Sequence, residues 1–134
     1  MSPPRVVQTS ASKSRVYLKR GESLLALVGE AERVGNHDAV VVSGIQASIA
    51  FADAYTVSKI GARCRGQDHS DVIMLIASVR TQDAARLATL LQRVLDRRSA
   101  LFYGDVSVGP SDSARISRLA DAVAELVRAA LSKS

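Results

Sequence analysis

Apolar side chains are concentrated in one stretch, Asp38 to Ala62, which would be apolar on nearly every side of a helix. Between Ala39 and Ser58 the only charged residue is Asp53. A helix that is apolar all round must be surrounded by other elements, so this stretch predicts the central helix of a bundle. It is also long enough to cross a bilayer, but hydrocarbon would penalise its scattered polar residues. The pattern therefore favours a soluble protein without a membrane span.

A first helix is predicted from Ser12 or Ser14 to about Val34, because apolar residues recur there at i, i+3, i+4 and i+7. They are Leu24, Leu27, Val28 and Ala31. Residues 1–11 are rich in Pro, Ser and Thr, which bury too little area to offset the cost of ordering. The sequence thus predicts a flexible arm over 1–11 and a single domain over 12–134.

Three more helices are expected after the central one. Ser70 is the predicted N-cap of a short third helix. A strand is the alternative for its apolar run, but no second strand is predicted to pair with it. Thr81 opens a fourth helix with a leucine stripe, and the last helix begins after Ser111 or Ser113, beyond a loop over 105–110. The predicted class is all-α, an up-and-down bundle of four long helices and one short helix.

Composition limits the chemistry that is available. The 134 residues are 47% hydrophobic, enough for one domain with a buried core, and a net charge of +5 permits an anionic partner such as RNA. The single Cys64 excludes an intramolecular disulfide and indicates a reducing cytoplasm. Arg63 and Arg65 flank this thiol and would lower its pKa. Since no metal-ligand cluster and no glycine-rich phosphate loop is present, neither a metal nor a cofactor is predicted.

Two stretches carry motifs in a defined order. The first is IAFADAYTVSKIG followed by GQDHSDV, and the second is RSALFYGDVSVGPSDSARISRLADAVAELV. Together they resemble the HEPN superfamily, in particular its small prokaryotic helical-bundle members. The first is similar to the family's long second helix and the Gly-x-x-His turn after it. The second is similar to its Arg, spacer and Tyr-Gly-Asp turn, followed by a short loop and an Ala-rich final helix.

The resemblance covers roughly residues 39–131 and carries expectations about function. It implies a bundle of four or five helices, usually a homodimer, associated with RNA or nucleotides, or with a protein partner encoded nearby in toxin–antitoxin or defence systems. Many members are metal-independent ribonucleases with an Arg four to six residues before a His. Arg63 and His69, separated by five residues, fit this spacing. The family's motif usually stands later, and residues 97–103 contain no His, so an RNA- or partner-binding module without robust catalysis is the leading hypothesis.

The residues after the central helix support two interpretations. As a ribonuclease site, His69 would act as general acid or base on a 2′-OH, while Arg63 or Arg65 neutralised the scissile phosphate. In the structural interpretation, His69 hydrogen-bonds the start of the third helix and fastens the turn.

A second polar set is expected to bind or to stabilise: Asp53, Arg98, Tyr103 and Asp105. A buried carboxylate at Asp53 would require a cation or several donors, for which Arg98, Arg63 and a Tyr hydroxyl are candidates. Tyr103 and Asp105 would form a packed turn.

Three arginines lie opposite the leucine stripe of the fourth helix: Arg86, Arg93 and Arg97. They would form either a strip for phosphates or an ordinary solvated face paired with Asp83 and Asp96.

Overall fold

The computed structural model describes residues 3–133, and this part of the chain is predominantly helical. Its elements are β1 (Val6–Gln8), α1 (Ser14–Arg33), α2 (His37–Ile60), β2 (Ala62–Cys64), α3 (His69–Ala77), α4 (Gln82–Tyr103) and α5 (Pro110–Ser132). Met1 and Ser2, which open the predicted arm, and Ser134 lie outside the described residues. The predicted all-α class is confirmed, and the described residues form four long helices and one short helix.

Helix α2 is bounded by two local signals. The Asn36 side-chain oxygen accepts a hydrogen bond from the Ala39 amide (3.1 Å), which caps its N-terminus. Gly61 has φ +62° and ends the helix in the left-handed conformation that glycine adopts without steric cost. The prediction of a helix to Ala62 was therefore too long at its C-terminal end, since α2 ends at Ile60.

Small residues let α1 and α5 approach α2 closely, and both helices pack against it. A Cβ at Gly44 would lie 2.5 Å from Cγ2 of Ile116 on α5 and 3.8 Å from Cγ2 of Val28 on α1. On α1, a Cβ at Gly21 would lie 3.0 Å from the ring of Phe51. The missing side chains are thus what permits these helix contacts.

Among the described residues, α2 is the one helix long and apolar enough to cross a membrane. However, 83% of its most apolar 18-residue window is buried inside the protein. The other elements of the chain therefore cover its apolar surface, as predicted for a core helix.

The predicted flexible arm contains ordered structure. β1 pairs antiparallel with β2, with Val6 opposite Cys64 and Val7 opposite Arg63. The amide of Arg65 donates to the carbonyl of Arg5 (2.9 Å) and extends the ladder. The structure corrects the prediction of flexibility for residues 6–8, because the chain leaving α2 supplies a strand partner 54 or more residues away in sequence, which local composition does not reveal.

The short third element is helical, as predicted, but it begins earlier. Asp68 rather than Ser70 is its N-cap, and the Asp68 side chain accepts from the Asp71 amide (3.1 Å). For α4 the predicted cap is confirmed, since Oγ1 of Thr81 accepts from the Ala84 amide (3.0 Å).

Helix α5 begins at Pro110, before the predicted Ser111 or Ser113. Proline is favoured in the first helical turn because its missing N–H would have no helical partner there. Asp112 reaches back and accepts from the Gly109 amide (3.0 Å), which fixes this start. Nδ1 of His37 lies 3.0 Å from Oγ of Ser113, so a hydrogen bond joins the beginnings of α2 and α5.

Candidate functional site

The two residues of the predicted Arg-x5-His pair have different partners. Arg63 donates from Nε to the hydroxyl of Tyr17 on α1 (2.9 Å) and from Nη1 to the carbonyl of Cys64 (3.0 Å). Its guanidinium also lies 5.6 Å from the centroid of the Tyr17 ring, and that of Arg20 lies 5.4 Å from it. Cation–π attraction and a hydrogen bond therefore hold Arg63 against α1.

Asp53 belongs electrostatically to the same region. Burial raises its pKa from 3.8 to about 7, while the positive charges of Arg63 and Arg20 oppose that rise. Arg63 is thus the candidate cation that acts on this carboxyl group. Tyr17, Arg20, Asp53 and Arg63 form what we call the Tyr17 cluster, at the junction of α1, α2 and β2.

Cys64 is buried beside this cluster. The pKa of its thiol is raised to about 12, mainly by burial and also by the negative charges of Asp53, Asp71 and Asp68, while Arg63 opposes the rise. The expectation that flanking arginines would lower this pKa was wrong, because desolvation of the thiolate outweighs their attraction.

His69, the first residue of α3, contacts α4. Nε2 of His69 lies 2.6 Å from the amide nitrogen of Gln92 and 3.6 Å from a carboxylate oxygen of Asp96. Gln92 also donates to Asp96 (3.1 Å). With the proton on Nδ1, Nε2 of the neutral imidazole accepts the hydrogen bond from Gln92. The His69 side chain therefore links the start of α3 to α4.

An open groove of about 520 Å³ lies beside His69. We call it the His69 groove; it is lined by Gln46, Gln67, Asp68, His69, Arg98, Phe102 and Tyr103. The amide nitrogen of Gln67 donates to the side-chain oxygen of Gln46 (3.0 Å), and Nη2 of Arg98 donates to the backbone carbonyl of Gln67 (2.8 Å). Nε of Arg98 is buried and has no hydrogen-bond partner within residues 3–133.

Two aromatic side chains in the last turn of α4 give this groove its chemical character. Phe102 is 44% exposed and Tyr103 is 81% exposed, although large apolar rings are usually covered. Exposed rings beside a guanidinium and side-chain amides offer stacking surfaces together with hydrogen-bond donors and acceptors. Single-stranded nucleic acid is recognised by this combination of groups.

The structure thus brings together three of the predicted site residues and separates the others. His69, Arg98 and Tyr103 line one groove, whereas Arg63 and Asp53 lie in the Tyr17 cluster. Arg65 and Asp105 are exposed and line neither.

Sequence reasoning missed four lining residues: Gln46, Gln67, Asp68 and Phe102. Two signals for them were present. Gln46 is an isolated amide in an apolar helix, and Phe102 follows Arg98 by four residues, which places both on one helix face.

Within residues 3–133, no group of three or more His, Cys, Asp or Glu side chains is arranged to hold a metal ion. No known family model matches this chain, and comparison with curated proteins and with solved structures finds no match. Its function is therefore inferred from its own residues and their geometry.

Proposed function

We propose that this protein is a HEPN-like module that binds single-stranded RNA in the His69 groove without efficient cleavage. The observation that carries the proposal is the pair of exposed rings, Phe102 and Tyr103, beside Arg98. Each ring offers a surface on which a base stacks, and base–aromatic stacking contributes about 1–3 kcal/mol per base.

The remaining lining groups suit the other parts of a nucleotide. The Arg98 guanidinium provides charge and directional N–H groups for a phosphate. The amides of Gln46 and Gln67 are hydrogen-bonded to each other, and each keeps a second N–H that can donate to a base edge. A net charge of +5 favours association with a polyanion and makes it sensitive to salt.

The positions of Arg63 and His69 support binding over catalysis. Arg63 is hydrogen-bonded to Tyr17, whereas His69 is hydrogen-bonded to Gln92. A guanidinium held against α1 does not share a phosphate with His69 unless it leaves Tyr17 first.

A metal-independent endoribonuclease is the second candidate, because His69 and Arg98 line the same groove. In that reaction Nε2 of His69 would first release Gln92 and then accept the 2′-OH proton as the 2′-oxygen bonds to phosphorus. The bond from phosphorus to the 5′-oxygen breaks, and the 5′-oxygen leaves with a proton from water. Arg98, rather than Arg63, would stabilise the charge that develops on the phosphate.

The wider setting of the proposal rests on the resemblance to HEPN proteins. It comprises an up-and-down order of the four long helices, a homodimer, a cytoplasmic location and a toxin–antitoxin or defence context. Light scattering on the purified protein tests the dimer, since a monomer at working concentration would contradict it.

Fluorescence anisotropy with a labelled single-stranded RNA tests the binding proposal. We expect the double variant Phe102→Ala/Tyr103→Ala to bind at least about tenfold more weakly, because two stacking surfaces are lost. Val16→Ala on α1, which also trims an exposed apolar side chain, serves as the control. RNA affinity that is unchanged in the double variant would exclude the His69 groove as the binding site.

Cleavage of a mixed RNA pool in excess EDTA separates the two candidate functions. The binding module leaves the RNA intact. Cleavage that persists in EDTA and disappears in both His69→Ala and Arg98→Ala would replace the binding module with the nuclease.

A further inference from the structure

A second groove lies between α4 and α5, away from the lining of the His69 groove. It consists of two adjoining depressions of about 540 and 510 Å³, which share Leu90 and Ala122. Residues 90–97 of α4 face residues 115–122 of α5 in the first, and residues 86–90 face 122–129 in the second. The two helices therefore run antiparallel, and the depressions form one continuous channel, the α4–α5 groove.

The length of this groove matches a short helix. Its α5 side extends from Arg115 to Ala129. At 1.5 Å per residue, that distance is roughly 21 Å, or about four helical turns.

The floor of the groove is apolar. It is formed by partly buried aliphatic side chains that also pack against the core: Leu90, Leu119 and Leu126. No aromatic ring lines either depression, so the floor offers no stacking surface for bases. Leucines spaced i, i+3, i+4 and i+7 on a docked helix would fit such a floor.

The walls are strongly basic at one end. Arg93, Arg97, Arg115 and Arg118 line the first depression, against the single carboxylate of Asp96. Arg97 donates to Asp112 (2.5 Å), which fixes its position at the rim. Over both depressions the charged lining residues are five arginines and two carboxylates, Asp96 and Glu125. A second copy presenting the same face would therefore set one positive surface against another, which is unfavourable.

We propose that the α4–α5 groove docks an acidic amphipathic helix of a partner protein. The leucines of that helix cover the floor, and its flanking Asp or Glu residues face Arg93, Arg115 and Arg118. The charge complementarity selects an acidic partner, and the apolar floor selects a helix over an RNA strand.

A labelled helical peptide of about 14 residues, with leucines at i, i+3, i+4 and i+7 and glutamates on both flanks, is a suitable probe. We expect anisotropy to show binding to the wild-type protein and at least tenfold weaker binding to Arg115→Glu/Arg118→Glu. Arg15→Glu/Lys19→Glu on α1 makes the same change in net charge outside the groove and should retain binding. Ala122→Glu, at the residue shared by both depressions, should also weaken binding at least tenfold.

Several outcomes would overturn the proposal. Equal binding of a scrambled peptide of the same composition would show that helix amphipathicity is irrelevant. Equal losses in the two double variants would indicate attraction to net charge alone. The groove would be assigned to RNA if single-stranded RNA displaced the peptide and if Arg115→Glu/Arg118→Glu also weakened RNA binding. A dimer in light scattering that this variant abolishes would assign it to a second copy.

Discussion

Nε of Arg63 donates a hydrogen bond to the Tyr17 hydroxyl over 2.9 Å, and this contact places Arg63 in a different set of interactions from His69. The two residues are only six positions apart, but one follows α2 in a strand and the other begins α3. Their side chains consequently reach different neighbouring helices. The Arg-x5-His spacing alone does not create a shared site.

Arg63 and Arg98 should therefore differ in what their removal affects. We expect Arg63→Ala to leave RNA affinity within about twofold while lowering stability by about 1–2 kcal/mol, through loss of its hydrogen bond and ring contact. Arg98→Ala should weaken RNA binding about tenfold, as loss of one charged hydrogen-bonding group to RNA predicts. Anisotropy titrations and urea unfolding measure both quantities. Arg15→Ala, exposed on α1, controls for the loss of one charge. If RNA binding were weaker in Arg63→Ala but not in Arg15→Ala, Arg63 would belong to the RNA-binding site after all.

Asp53 should make stability fall as pH rises from about 4 to about 7. Its pKa is about 7 in the folded protein and ordinarily 3.8, so in this interval the folded state binds more protons than the unfolded state. The contribution is on the order of 4 kcal/mol once the group is fully ionised, at 1.36 kcal/mol per pKa unit. Asp53→Asn cannot ionise and should exceed the wild-type stability at pH 8 but match it near pH 4.

The measurement is the difference in unfolding free energy between wild type and Asp53→Asn across this pH range. Glu22 and Asp112 have lowered pKa values and give the opposite trend, but they are present in both proteins and cancel in the difference. A difference that does not change with pH would show that Asp53 does not titrate near 7.

Gly44→Ala should destabilise the fold although alanine favours helices. Its Cβ would lie 2.5 Å from Cγ2 of Ile116, and such overpacking typically costs about 1–3 kcal/mol. Gly29→Ala on α1 is the matched control, since no atom lies within 4 Å of the added Cβ, and helix propensity there gives a gain of up to about 1 kcal/mol. Thermal unfolding compares the two, and equal gains would show that α2 and α5 are not in close contact at Gly44.

The sequence was informative about local structure. All five helices were predicted: α1, α4 and α5 from apolar spacing, α2 from its continuous apolar character, and α3 from its polar start and the lack of a predicted strand partner. The predicted cap Thr81 is confirmed by its hydrogen bond from the Ala84 amide. Helix boundaries were less accurate where a competing local signal was stronger. Gly61 ended α2 before the predicted Ala62, and Pro110 began α5 before the predicted Ser111.

Part of the candidate site was also recognisable. His69, Arg98 and Tyr103 were singled out by residue type and do line one groove, but Gln46, Gln67, Asp68 and Phe102 were not. For Asp53 the sequence left Arg98, Arg63 and a Tyr hydroxyl open as partners. The structure places Arg63 and also Arg20 near this carboxyl group, since the strand after α2 carries Arg63 back toward α1.

The helices could be predicted from the chain alone, because hydrogen bonding, capping and amphipathic spacing act over a few residues. Three relationships became visible only in the folded protein: β1 pairs with β2, His69 shares a groove with Arg98, and arginines of α4 and α5 line a common channel. Each of these relationships joins residues far apart in the chain. Their proximity depends on how the helices pack and on the direction of the segments that connect them. A local sequence pattern specifies neither property.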